Sequence, residues 1–143
     1  MTGFAAYSHA IASMALFALV ALALGPMAAR AKAAAGVVSG AGPVPDYADP
    51  VYRLWRAYQN ATEIAGVFCI AVMAAILAGA APVLVNWLAS LFLVSRLAHA
   101  FVHVRGIGAA NFGPRTFLFV FGWAMCAGLA LAALWSVFLG GGA

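Results

Sequence analysis

The chain reads as an all-α integral membrane protein, a bundle of four transmembrane helices, and three observations carry that reading. Of its 143 residues, 67% are hydrophobic and only 7% are charged. The mean hydropathy of +1.07 lies far outside the range of soluble domains. Four charge-poor stretches each reach the roughly 20 residues needed to cross about 30 Å of hydrocarbon. Short segments with turn chemistry separate them, no internal repeat is visible, and little length remains for a soluble domain. One domain, residues 1–143, is therefore expected.

The first span is expected at 4–29, with Arg30 and Lys32 following it. Small residues around Arg30 would suit a signal-peptide cleavage site, but the positively charged leading region of such a peptide is missing, so the segment is read as a span. Residues 36–45 are rich in Gly and Pro and form a loop. The second span, 50–79, opens with Asp49 as N-cap and Pro50 at the first helical position. Ala80, Ala81 and Pro82 make a tight, uncharged turn. The third span, 83–104, is apolar except for Asn86, Arg96, His99 and His103. A glycine-rich connection, RGIGAANFGP, then leads to the fourth span, 115–139.

All 7 Lys and Arg residues lie in or beside the connections that follow spans one and three. The positive-inside rule therefore predicts cytoplasmic basic loops, and four spans put both termini on the noncytoplasmic side. A net charge of +4 facing anionic headgroups needs no nucleic acid to explain it. Cys69 and Cys126 fall in different spans without CxxC spacing and read as small apolar side chains, neither disulfide nor nucleophile. Trp55, Trp87, Trp123 and Trp135 include some near span ends, as interface anchors would be.

The segment YRLWRAYQNATE sets Arg53, Arg56, Asn60 and Glu63 at spacings of three, four and three on one helical stripe. Ionised groups within a membrane helix turn toward protein or a wet cavity and are functional candidates. Arg96, His99 and His103 form a second stripe, also toward the expected cytoplasmic end. With Arg115 at the start of the fourth span and Arg30 at the end of the first, the two stripes predict a pocket rich in cations. Arginines hold carboxylates bidentately and Glu63 can take an ammonium, so an amphoteric peptide or amino acid derivative suits it. The same residues also fit a structural role, with Asn60 and Glu63 as interhelical glue and Arg53 or Arg56 pairing with Glu63 or reaching headgroups. Spacing leaves both open. Two imidazoles at i and i+4 without a carboxylate or thiolate are a weak metal signal, and no metal is assigned. A transporter is disfavoured because no inverted repeat or broken helix is seen.

RAYQNATE resembles the R-x-x-x-N-x-x-E signature in the second helix of the MAPEG family, the membrane-associated proteins of eicosanoid and glutathione metabolism. SRLAHAFVH resembles that family's R-x-x-H segment in the third helix. The A-R-x-K ending of the first helix and an arginine opening the fourth also agree, so the resemblance covers essentially the whole chain, in the manner of a bacterial-type, microsomal glutathione transferase-like member. It implies a homotrimer of four-helix protomers in membrane lipid, binding glutathione as co-substrate between subunits near the cytoplasmic face. The implied activity is that of a glutathione transferase or peroxidase, a detoxification role on lipophilic electrophiles or hydroperoxides. A noncatalytic binding or accessory protein with the same pocket is the alternative. Carried over residue by residue, Arg30, Arg56, Asn60, Glu63 and His99 are implied glutathione contacts, joined by His103 one turn on. Arg53, Gln59, Arg96 and Arg105 are implied supporting residues. Arg115 is implied to stabilise the thiolate, with Thr116 beside it. The chain departs from the family pattern in having His103 where well-known members carry a tyrosine. Gln59 replaces an arginine of the prostaglandin E synthase branch, which argues against that activity. The connection after His99 is a few residues longer than in mammalian synthases, which leaves Arg105 open as a substitute for Arg115.

Overall fold

The computed structural model describes residues 3–109 and 111–140. After a short 3-10 turn at Phe4–Tyr7 come four helices, α1 Ser8–Ala34, α2 Pro50–Leu77, α3 Pro82–Arg105 and α4 Pro114–Phe138, with no strand among the described residues. All four are long and apolar enough to cross a membrane. Their outer faces present large apolar side chains, among them Leu22, Ile70, Val83, Trp135 and Phe138. Such a surface is stable against hydrocarbon, where the backbone groups are satisfied inside each helix.

Asp49 caps α2 as its spacing predicts: Oδ1 accepts from the Val51 amide at 2.8 Å, and Pro50 fills the first helical position, where no donor is lost. Helix α1 differs from expectation. It continues to Ala34, so Arg30 and Lys32 lie within its last turns rather than beyond it. The segment AARAKAA is dominated by the best helix formers, and the helix stops only when Gly36 adopts a φ of 72°. The other three helices end within two residues of their expected limits.

Consecutive helices run antiparallel, and polar contacts tie both ends of the bundle. At one end the Tyr7 hydroxyl donates to the Ala80 carbonyl at 2.6 Å. The Asn86 amide donates to the Ala6 carbonyl at 2.7 Å and accepts from the Ala10 N–H at 3.0 Å. Asn86, the lone polar residue at the start of α3, is thus a strap from α3 to the start of α1. Midway along the bundle Phe17, Phe68 and Phe92, from α1, α2 and α3, form a fully enclosed cluster. Phe68 and Phe92 stack at 3.8 Å, and Phe17 meets both edge-on at 5.9 and 5.2 Å. In lipid, packing of this kind rather than hydrophobic expulsion holds helices together.

The opposite end gathers the C-termini of α1 and α3 and the N-termini of α2 and α4. Residues 35–49 cross it as a loop. A turn in which Asp46 Oδ1 accepts from the Ala48 amide at 2.8 Å brings Tyr47 over the bundle.

Candidate functional site

At this end a polar cleft of about 230 Å³ is lined by Arg56 and Asn60 from α2, His99 and His103 from α3, Arg115, Thr116 and Phe119 from α4, and Tyr47 from the loop. The three-and-four spacings on α2 and α3 aim their stripes at each other, and α4 closes the third side because its first turn starts at the same level. Arg56 and Asn60 of one expected stripe, His99 and His103 of the other, and the start of the fourth helix therefore meet here.

Arg96 organises the floor. Its side chain is buried, and Nη2 donates to the Asn60 carbonyl at 3.0 Å, joining α3 to α2. Its guanidinium also lies over the Phe119 ring of α4 at 5.3 Å. Space for Arg96 comes from Gly122. A Cβ there would stand 2.8 Å from the Ser95 hydroxyl oxygen and 3.0 Å from Arg96 Cδ. Nη1 of Arg96 and both ring nitrogens of His103 are buried and have no hydrogen-bond partner among the described residues. Buried polar atoms are ordinarily paired, so these are the groups that a polar ligand or water would satisfy. His99 packs 5.5 Å from His103 and 5.9 Å from Phe119. No group of three His, Cys, Asp or Glu side chains comes together among the described residues.

Arg56 lies at the cleft wall, where Nη2 donates to Asn60 Oδ1 at 3.3 Å and Nη1 pairs with Glu63 at 3.5 Å. Glu63 does not line the cleft. Its side chain is 60% exposed on the outer side of α2, because the α2 stripe is wider than the face that α3 and α4 cover. Gln59 is half-buried and likewise stays out of the lining. Arg30 is exposed on α1 and Arg105 is exposed at the end of α3, with its guanidinium over Phe101 at 5.5 Å; neither lines this cleft. Of the two arginines left open by the sequence, Arg115 is the one placed in the cleft.

Arg53 has a different task from the rest of its stripe. Nη1 donates to the Tyr47 and Ala48 carbonyls at 2.7 and 2.9 Å, and Nε donates to the Val104 carbonyl at 3.2 Å. It clamps the loop to α2 and to the last turn of α3. Tyr47 is one site residue that sequence reasoning missed. Its ring lies 4.2 Å from the Arg115 guanidinium and 5.6 Å from His103, and it also lines a neighbouring cleft of about 250 Å³ with Ala48, Arg53, Val102, Gly106, Ile107, Gly108 and Arg115. The available signal was an Asp-flanked tyrosine just before the α2 cap, which has no helical periodicity to place it. Phe119 and Gly122 were missed as well, since an apolar residue and a glycine in a membrane helix read as packing.

Cys69 and Cys126 are free thiols outside the cleft. At the far end of the bundle His9, Val83, Asn86, Trp87 and Ser90 line a separate, mostly apolar cavity of about 440 Å³.

The family model described as "MAPEG family" matches residues 8–135. No curated protein and no solved structure matches the chain.

Proposed function

The chain belongs to the MAPEG family, and from that premise we propose that it is a glutathione-dependent membrane enzyme, a transferase or peroxidase acting on lipophilic electrophiles or hydroperoxides. The observation that carries the reading is the convergence of Arg56, Asn60, His99, His103, Arg115 and Thr116 on one cleft, with unpaired polar atoms buried beside it. Those residues suit glutathione, which has two carboxylates, one ammonium and a thiol. Arg56 offers a forked donor to a carboxylate, Asn60 an amide, and His103 two ring nitrogens that lack partners among the described residues. When bound, glutathione supplies a thiol whose anion is a nucleophile toward an electrophilic carbon or a peroxide oxygen. Arg115 favours that anion, because a guanidinium beside a thiol lowers its pKa from the usual 8.5 or so toward neutrality. Thr116 adds a hydroxyl donor next to it. The apolar exterior lets a lipophilic partner reach the site from the bilayer.

We place the complete site between subunits of a homotrimer. One protomer's cleft of about 230 Å³ falls below the roughly 300–1,000 Å³ of ligand clefts in general. Glu63 lies about 20 Å along α2 from Pro50, too deep for a carboxylate to face lipid. A neighbouring copy over that face of α2 would cover Glu63. The basic end is assigned to the cytoplasm on the distribution of Arg and Lys.

Detergent-purified protein incubated with glutathione and an aromatic halide or a lipid hydroperoxide tests the reading. Turnover is expected, falling about 10- to 100-fold in Arg115→Ala through loss of thiolate. Unchanged turnover in Arg115→Ala would remove Arg115 from its role. No calorimetric binding at millimolar glutathione would overturn the glutathione reading as a whole.

A further inference from the structure

The loop ahead of α2 reaches into the site through one side chain, Tyr47, and the geometry around it forms a continuous chain of contacts. Arg53, on α2, braces its Nε against the Val104 carbonyl of α3 and turns Nη1 onto the Tyr47 and Ala48 carbonyls. These bonds fix the backbone that follows the Tyr47 side chain. The ring is held laterally by Tyr52, which meets it edge-on at 5.3 Å, and by His103 at 5.6 Å. Its π system receives the Arg115 guanidinium at 4.2 Å from the centroid, well within the distance at which an arginine is attracted to an aromatic ring. Tyr47 and Arg115 are also the two residues common to this cleft and the neighbouring one, so the pair stands between them.

We propose that Tyr47 is a positioning residue for Arg115: the aromatic face, pinned by Arg53, holds the guanidinium at the mouth of the cleft, where it acts on the bound thiol. This rests on the glutathione reading above. An arginine side chain has four rotatable bonds and gives up much rotamer freedom when it is confined. A fixed ring beneath the guanidinium lowers that cost before ligand arrives, and cation–π attraction engages the face of the group rather than its N–H donors. The positioning group comes from outside the helical stripes, so it can be altered without touching the residues that line the helices.

The test uses the full-length, detergent-purified protein with glutathione itself as probe. Two readouts are followed, the dissociation constant by calorimetry and the pH midpoint of thiolate formation in bound glutathione by ultraviolet absorbance. Tyr47→Phe keeps the aromatic face and is expected to match the wild type within about twofold. Tyr47→Leu keeps bulk without the π face and is expected to raise the midpoint by about 0.5–1 pH unit, a three- to tenfold loss of thiolate below it. Arg53→Lys, which loses the forked donor set that fixes the loop, is expected to move the midpoint in the same direction. Should Tyr47→Leu fail to fold, Arg53→Lys against Tyr47→Phe carries the comparison. A midpoint unchanged in both Tyr47→Leu and Arg53→Lys would overturn the positioning role while leaving the glutathione reading intact. A Tyr47→Phe midpoint shifted as far as that of Tyr47→Leu would also overturn it, since the hydroxyl and not the ring would then matter. A wild type that binds no glutathione would overturn the functional reading first.

Discussion

Adding one methyl group at Gly122 probes the packing that lets Arg96 reach across the bundle. In an open stretch of helix a Gly→Ala exchange stabilises by about 0.5–1 kcal/mol, because glycine gives up more backbone freedom on folding. At Gly122 the new Cβ would stand 2.8 Å from the Ser95 hydroxyl oxygen and 3.0 Å from Arg96 Cδ. The Ser95 hydroxyl already donates to the Phe92 carbonyl at 2.7 Å, and Arg96 is tied to the Asn60 carbonyl at 3.0 Å, so neither side chain yields freely. Overpacking costs about 1–3 kcal/mol, and with both obstructing side chains tied the upper part of that range, about 2–3 kcal/mol, applies; less a propensity gain of about 1 kcal/mol, Gly122→Ala is about 1–2 kcal/mol less stable. For a chain of this size that is a drop of roughly 3–8 °C in apparent Tm, read by tryptophan fluorescence during heating in detergent. The partner variant Ser95→Ala removes the closer of the two obstructing atoms. The double variant should therefore recover about 1 kcal/mol relative to additivity, as expected for residues in direct contact. A Gly122→Ala protein that melts at or above the wild-type temperature would refute the close approach. So would a loss that Ser95→Ala leaves untouched.

Three other outcomes are expected. Asn86→Leu removes both bonds of the strap to Ala6 and Ala10. It should lower stability by about 1–3 kcal/mol, seen as faster proteolysis near the start of α1, and an unaltered cleavage pattern would count against the strap. Asp49→Ala deletes the α2 N-cap and should cost about 0.5–2 kcal/mol in the same melting assay, with Asp49→Asn close to wild type; equal losses in both would point to charge rather than capping. A reporter domain fused after residue 143 should be active only when it folds on the noncytoplasmic side, and cytoplasmic activity would contradict the orientation drawn from the basic loops.

The membrane bundle itself was legible because its determinants are local. Apolar length marks the spans, Asp49 and Pro50 mark a helix start, and Ala80 to Pro82 mark a turn, each acting over a few residues. The helical stripes were legible for the same reason: Arg56 with Asn60, and Arg96 with His99 and His103, share faces by periodicity alone. The end of α1 is not legible in the charge pattern, because alanine-rich helix tolerates Arg30 and Lys32 until Gly36 turns the chain.

What the sequence determined by itself, then, was four apolar helices, two polar stripes and the end of the bundle where they lie. Tertiary structure decided which members of those stripes meet. Glu63 and Gln59 fall outside the cleft because α3 and α4 cover only part of α2, and Arg115 enters it while Arg105 turns away over Phe101. Tyr47 arrives through a loop whose path is set by Arg53, and Arg96 crosses to Asn60 only because Gly122 leaves room. Those choices depend on contacts between residues far apart in the chain, where no helical or turn periodicity operates.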